Sequence, residues 1–387
     1  MHSIILPAIL LHFAPAPLKN TYLGAMTFVG LVIAMLVQPV SGALSDQTMT
    51  RWGRRRPWIL VGAGGSFLAL LLLGAATTYL GLAAGYLLLQ TFSNVAHGPL
   101  QGLIPDLVPR ARHGVAAGVK NFMDICGLLS GVLVAGHFVD RGQSRVALAA
   151  IVAVMTACLL VTLFGVRERT FAGIPAVNWR AWVRAALRAA YRLEYRRYPN
   201  YAWLLAGRFL VLVGIYAVQS FAQFYIRDVL KAPNPAGATA QLMAIIGGGT
   251  ALLVYPAGYA SDRLGRKTFN VLAAAVCGAG VLMLLAVSTY AHLLVAGAVL
   301  GVGLGAFLSV NWALATDLVP AAEAGKYLGL SNLATAGAGA VARLTGPVID
   351  AANLLTAGAG YRVLFIMAGC SILLGALVLW RKMEAPA

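Results

Sequence analysis

Residues 42–57 read Gly42-Ala-Leu-Ser-Asp-Gln-Thr-Met-Thr-Arg-Trp-Gly-Arg-Arg-Arg-Pro57, and residues 258–267 read Gly258-Tyr-Ala-Ser-Asp-Arg-Leu-Gly-Arg-Lys267. Both stretches follow a long apolar run, set an aspartate four residues after a glycine (Asp46, Asp262), and end on a glycine followed by basic residues (Gly53-Arg-Arg55, Gly265-Arg-Lys267). The likeness extends outward. Asp106-Leu-Val-Pro109 matches Asp317-Leu-Val-Pro320, Gly114 matches Gly325, Asn121 matches Asn332, and Gly136 with Asp140 matches Gly346 with Asp350. The offset stays near 210 residues apart from a short insertion around Thr48 to Trp52, so the chain is built from a duplicated unit.

Between these motifs lie apolar segments with almost no charge. Val146 to Phe164 and Val363 to Trp380 carry no Asp, Glu, Lys or Arg, and each approaches the roughly 20 residues a helix needs to cross the bilayer core. Cutting at charged and Pro/Gly-rich breaks predicts spans at 20–44, 57–79, 81–104, 116–138 and 145–166, then 202–226, 238–260, 269–289, 291–315, 327–349 and 361–380. Ile4 to Phe13 is too short to cross alone and reads as the end of a first helix, whose beginning the repeat places about 15 residues before Met1. The predicted fold is an all-α membrane protein of two pseudo-symmetric six-helix bundles, about twelve spanning helices, the first of them truncated. Residues 1–168 form the first bundle, 169–200 a linker and 201–387 the second.

Across 387 residues, 60% hydrophobic and 11% charged is too apolar for a soluble globule. The formal charge of +17 would suggest nucleic acid in a soluble chain; here the basic residues sit in short loops and report topology. Alternate loops hold 20 Lys and Arg on one side against six on the other (Lys19, Arg141, Arg145, Arg227, Lys231, Arg362). The positive-inside rule then puts both termini and the linker in the cytoplasm, with the chain in the cytoplasmic membrane. In the linker, Arg180, Arg184, Arg188, Arg192 and Arg196 recur every four residues among Trp179, Trp182, Leu187 and Tyr191, the pattern of a basic amphipathic helix lying on anionic lipid.

Cys126, Cys158, Cys277 and Cys370 all fall in apolar segments without ligand spacing and read as packing residues rather than a disulfide or metal framework. There is no Gly-x-x-x-x-Gly-Lys-Ser/Thr, no His-Glu-x-x-His and no Gly-x-Ser-x-Gly. These absences speak against ATP-driven transport and against an enzyme, and no cofactor is expected.

The stretch from Gly42 to Pro57 resembles the signature of the major facilitator superfamily between its second and third helices. Its longer loop with three arginines before Pro57 is similar to the form in sucrose/proton symporters and the glycoside-pentoside-hexuronide cation symporters. Asn94 to Asp106 also resembles the sucrose-symporter pattern, with Gln90 standing where the plant carriers have an acid and Gln101 where they usually have an arginine. The resemblance implies a major facilitator fold, alternating access and a central cavity lined by the first, fourth, seventh and tenth helices. Its substrate would be a small molecule, a sugar or glycoside, moved with a proton by a monomeric carrier that binds no nucleic acid. An efflux antiporter and a non-transporting receptor on the same scaffold are the alternatives.

Sugar hydroxyls need amide and aromatic partners near mid-depth, which selects Asn94, His97, Gln101, Asn121, Tyr216, Gln219, Gln223, Asn311 and Trp312 as candidate substrate contacts. Ionisable residues are costly within the bilayer and mark pathways. Asp124 is the carboxylate placed clearly inside, and Arg208, Arg343 or the adjacent Lys120 could switch its proton affinity, so Asp124, Arg208 and Arg343 are candidate ion-coupling residues. An aspartate at a helix end can pair with loop arginines and face a helix N-terminus. On that ground Asp46, Arg54, Arg55, Asp106, Asp262, Arg266, Lys267 and Asp317 are candidate gating residues.

Overall fold

In lipid a chain can satisfy its backbone only internally, and long apolar runs with short breaks do so as helices. The computed structural model describes residues 3–48, 50–109, 113–166, 168, 198–318 and 324–383, and within these every regular element is helical. In chain order they are α1 (Ile5–Leu10), α2 (Lys19–Gln47), α3 (Arg56–Gly74), α4 (Tyr79–Leu107), α5 (His113–Asp140), α6 (Ser144–Gly165), α7 (Pro199–Asp228), α8 (Pro235–Leu264), α9 (Arg266–Met283), α10 (Tyr290–Asp317), α11 (Ala324–Arg343), α12 (Gly346–Leu355) and α13 (Ala359–Lys382). The amphipathic helix expected in the linker falls on residues 169–197, outside the described residues, as does the side chain of Asn121.

Ten of the eleven predicted spans each coincide with one helix. The span 327–349 does not: it breaks into α11 and α12 around Leu344 and Thr345. Pro347 has no N–H to donate to the carbonyl of Arg343, and that carbonyl instead lies so close to α2 that a Cβ on Gly24 would collide with it.

Local signals agree between the repeats. Thr78 and Thr289, at matching positions, each cap a helix, the hydroxyl accepting from Gly81 N at 3.1 Å and from His292 N at 3.3 Å. Gly53 and Gly265 also match and adopt φ of +96° and +87°, a conformation open to glycine and strained for other residues, which explains their place in the loop motif.

Eight of the described helices are long and apolar enough to cross a membrane. The polar run Gln90 to Gln101 keeps the 29-residue α4 out of that set. Side chains that would aggregate in water, such as Leu355 (87% exposed), Tyr255 (83%) and Phe164 (81%), point outward, as lipid-facing residues do.

By packing, the chain forms two compact units, one of residues 1–28, 132–142 and 193–387, the other of residues 29–131 and 143–192. In the second, α3 lies against α4 through Gly62 and Gly65, where a Cβ would strike Phe92 and Ala96, and α4 meets α2 at Gly98. In the first, α7 and α10 are the most enclosed of the eight helices long and apolar enough to cross a membrane.

Candidate functional site

Arg55 is 5% exposed, a cation that has to be matched by acids to be held there. It forms an ion pair with Asp46, donates through Nε to Asp106 Oδ2 at 2.9 Å, and donates through Nη1 to Gly42 O at 3.1 Å and Ser45 Oγ at 2.5 Å. Gly102 makes room for it on α4, since a Cβ there would sit 2.6 Å from the guanidinium. Arg54 closes on the same Asp106, its Nε 3.1 Å from Oδ2 and its Nη2 on Oδ1. The second copy repeats the arrangement. Arg266 donates to Asp262 Oδ1 at 2.8 and 3.0 Å and to Asp317 Oδ2 at 2.5 Å. Here one arginine serves both acids, and Lys267 lies 5.8 Å from the centre of the Trp380 ring. Seven of the eight candidate gating residues therefore sit in two similar clusters, each closed within its own repeat, and Lys267 stands over the Trp380 ring instead.

Glu168, which the sequence reading passed over, completes the first cluster. Its carboxylate accepts from Arg54 N at 2.7 Å, Arg55 N at 2.8 Å and Arg56 N at 2.9 Å, covering the free N–H groups at the start of α3. An acid three residues past the end of α6, opposite an arginine-rich helix start, was the available signal.

Along α4, Asn94 donates to Gln90 O at 2.8 Å and its carbonyl accepts from Ser41 Oγ at 3.0 Å, while His97 and Gln101 are exposed and 3.4 Å apart. On α5, Asp124 is paired with Lys120 one turn earlier, Nζ to Oδ2 2.5 Å, with the carboxylate side chain 61% exposed. In the other unit, buried Gln223 directs its amide nitrogen to the carbonyls of Ser3 and Ile4, 2.9 Å each, and so fixes the chain before α1. Tyr216 and Gln219 are half-buried on α7, and Trp312 is 39% exposed on α10.

Arg208 on α7 has different company. It is 5% exposed and donates through Nη1 to Asn311 Oδ1 on α10 at 2.7 Å and through Nε to Thr335 Oγ1 on α11 at 3.1 Å. Both acceptors are neutral. Arg343 turns back on its own helix, Nη1 to Gly339 O 2.6 Å, and Tyr216 lies in the field of both arginines.

A profile of the Major Facilitator Superfamily matches residues 1–342 and 234–387, which together take in every residue. The chain belongs to the Major Facilitator Superfamily. It is 25% identical over 243 residues to the lactose permease of Lactobacillus helveticus, covering 56% of this chain and 37% of that protein. It is 22% identical over 373 residues to multidrug resistance protein MdtG of Klebsiella pneumoniae, covering 95% and 85%. The chain thus spans little more than a third of the lactose permease and most of the multidrug protein. Among solved structures it is similar in fold to a D-xylose-proton symporter, with a TM-score of 0.76 at 18% identity over 99% of this chain and 93% of that one. These relatives are transporters, not enzymes, and the chain is a multi-pass integral membrane protein.

Within this superfamily member, the sequence-repeated pairs Gly136/Asp140 and Gly346/Asp350 also acquire a structural role. Asp140 at the end of α5 accepts from Ala236 N at 3.0 Å and Gly237 N at 2.5 Å in the first turn of α8. Asp350 on α12 accepts from Thr21 N at 2.6 Å, Thr21 Oγ1 at 2.7 Å and Asn20 Nδ2 at 2.8 Å in the first turn of α2. Gly136 and Gly346 let those helix starts approach, for a Cβ would stand 3.2 Å from Ala236 O or collide with Asn20 O. Next to Asp350, Lys19 forms an ion pair with Asp228, which also accepts from Tyr361 Oη at 2.7 Å. The matched spacing was visible in the sequence, but its partners lie some 100 and 330 residues away and carry no motif of their own.

Proposed function

We propose that this chain is a secondary active transporter working by alternating access, moving a sugar or glycoside with a proton across the cytoplasmic membrane. The observation that carries the reading is the repeated acid–arginine cluster, Asp46/Arg55/Asp106 and Asp262/Arg266/Asp317, built the same way on both repeats. A matched pair of breakable ion clusters, one on each six-helix module, is what a carrier needs to stabilise one closed state and release it. Asp124 with Lys120 is the proton-coupling candidate, both termini and the 169–200 linker lie in the cytoplasm, and the linker arginines bind anionic lipid. The lactose permease and D-xylose symporter similarities favour a sugar substrate.

Purified protein in proteoliposomes tests this. Radiolabelled sugars accumulate when a proton gradient is imposed and only equilibrate without it; Asp124→Asn keeps exchange and loses accumulation. Undiminished accumulation by Asp124→Asn removes the coupling role. A second reading, proton-coupled efflux of small organic compounds, is favoured by the match to the multidrug protein along 95% of the chain. Proton-driven extrusion of a lipophilic cation, with no sugar exchange, would select it.

A further inference from the structure

Of the six Lys and Arg that the sequence sets opposite the arginine loops, two, Arg141 and Lys231, line a single cavity of about 690 Å³. Topology gathers cations on the other side and gives no reason for a pair here. The cavity lies wholly within one of the two compact units, between the end of α5, the loop from α7 to α8, and the beginnings of α8 and α10. The Asp262/Arg266/Asp317 cluster is at the other end of α8 and α10. Neither Arg141 nor Lys231 forms an ion pair or hydrogen bond among the described residues. The acid on the wall, Asp140, is committed to the Ala236 and Gly237 N–H groups. In doing so it displaces Asn234, which stands at the cap position of α8 without capping it and leaves its amide to the cavity. Gln241 accepts from Tyr290 Oη through Oε1 at 2.8 Å, which leaves its Nε2 as a further donor. Lys231 is also the one described residue other than glycine with a positive φ, +51°. A side chain is strained there, and such strain is kept where its position matters. Toward the middle of the helices the wall turns apolar. Leu133 shares a face of α5 with His137 and Arg141 and lies about 12 Å along the helix from Arg141, while Ala240 lies a turn into α8 from Gly237.

We infer that this cavity seats an anionic phospholipid, its phosphate between Arg141 and Lys231, its polar headgroup near the amides of Asn234 and Gln241, and the start of an acyl chain along Leu133. A guanidinium fork and an ammonium are suited to phosphate oxygens. The wall keeps no free carboxylate to receive a choline or ethanolamine ammonium, which selects a headgroup of net negative charge. The passage from charged to apolar wall follows the passage from headgroup to hydrocarbon, whereas a soluble phosphate ester would use the charged end alone. Such a lipid touches α5 of the first repeat and the α7–α8 loop of the second, and so reinforces the Asp140 contact between them.

The test titrates dioleoylphosphatidylglycerol against dioleoylphosphatidylcholine on the purified full chain in detergent, with bound lipid counted by native mass spectrometry. Phosphatidylglycerol is retained in preference, and Arg141→Gln with Lys231→Gln weakens its binding at least about tenfold, as the loss of two charge-assisted contacts requires. Arg227→Gln with Arg362→Gln, which removes the same charge from the same ends of α7 and α13 outside the cavity, leaves binding unchanged. Equal losses in the two double variants would reduce the effect to general charge attraction and overturn the site, as would equal retention of the two lipids by the unaltered chain. Displacement of the lipid by sn-glycerol 3-phosphate at matched concentration would overturn the lipid assignment in favour of a soluble phosphate ester. Lys231→Gly separates binding from folding. It relieves the strained backbone, so the variant melts no lower than the unaltered chain while its lipid binding weakens. A lower melting temperature with lipid binding intact would mean that the lysine serves the fold and would overturn its role as a phosphate contact.

Discussion

Glu168 shows how one side chain decides a local structure. Three backbone N–H groups at the start of α3 converge on its carboxylate, next to three consecutive arginines whose like charges would otherwise push that helix start apart. Glu168→Gln keeps the shape and removes the charge; a loss of about 1–2 kcal/mol in unfolding stability is expected, read by chemical denaturation in detergent. An unchanged midpoint would mean that water caps α3 equally well. The loop glycines permit a sharper comparison. Both Gly53→Ala and Gly265→Ala force a side chain into positive φ, worth about 1–2 kcal/mol each. At Gly53 the new Cβ would also meet the Glu168 side chain at 2.5–2.7 Å, whereas at Gly265 nothing lies within 4 Å. Gly53→Ala is therefore the more damaging change, and equal melting temperatures for the two variants would contradict that packing.

At the scale of elements, the first turns of α8 and α2 each rest on an aspartate from another helix, Asp140 on α5 and Asp350 on α12, with a glycine one turn before each acid. A carboxylate at a helix N-terminus answers both its free donors and its dipole. Asp140→Ala uncovers the Ala236 and Gly237 amides, and their hydrogen exchange accelerates about tenfold while amides in the middle of α8 stay protected. Exchange that rises uniformly along α8 would show that the whole helix, rather than its cap, had loosened. The break between α11 and α12 belongs to this scale too. Periodicity carries an apolar helix straight through Thr345, and only the missing donor at Pro347 together with the close approach of α2 explains why it stops.

For the molecule as a whole, topology follows from where arginines accumulate, because lipid insertion responds to Lys and Arg in short loops. Trp52 and Arg263 lie within the two copies of the loop motif and are both exposed. In a background lacking Cys126, Cys158 and Cys370, the exposed native thiols, Trp52→Cys and Arg263→Cys should react with an impermeant maleimide only after the cytoplasmic face is opened. Labelling of the two from opposite faces would mean that the repeats are inverted, and a parallel duplication would be excluded.

By itself the sequence determined the helical class, ten of eleven span positions and the duplication, and it singled out the loop arginines and aspartates that meet, without Glu168. All of these rest on short-range regularities: apolar length, loop charge, and motifs written twice. Tertiary structure alone decided which acid each paired cation meets, that Gln223 holds the chain before α1, that Glu168 covers α3, and that Arg208 meets an amide and a hydroxyl rather than an acid among the described residues. Those outcomes depend on which helices lie side by side, and van der Waals packing between helices in lipid leaves no short-range mark of that choice in the order of the residues.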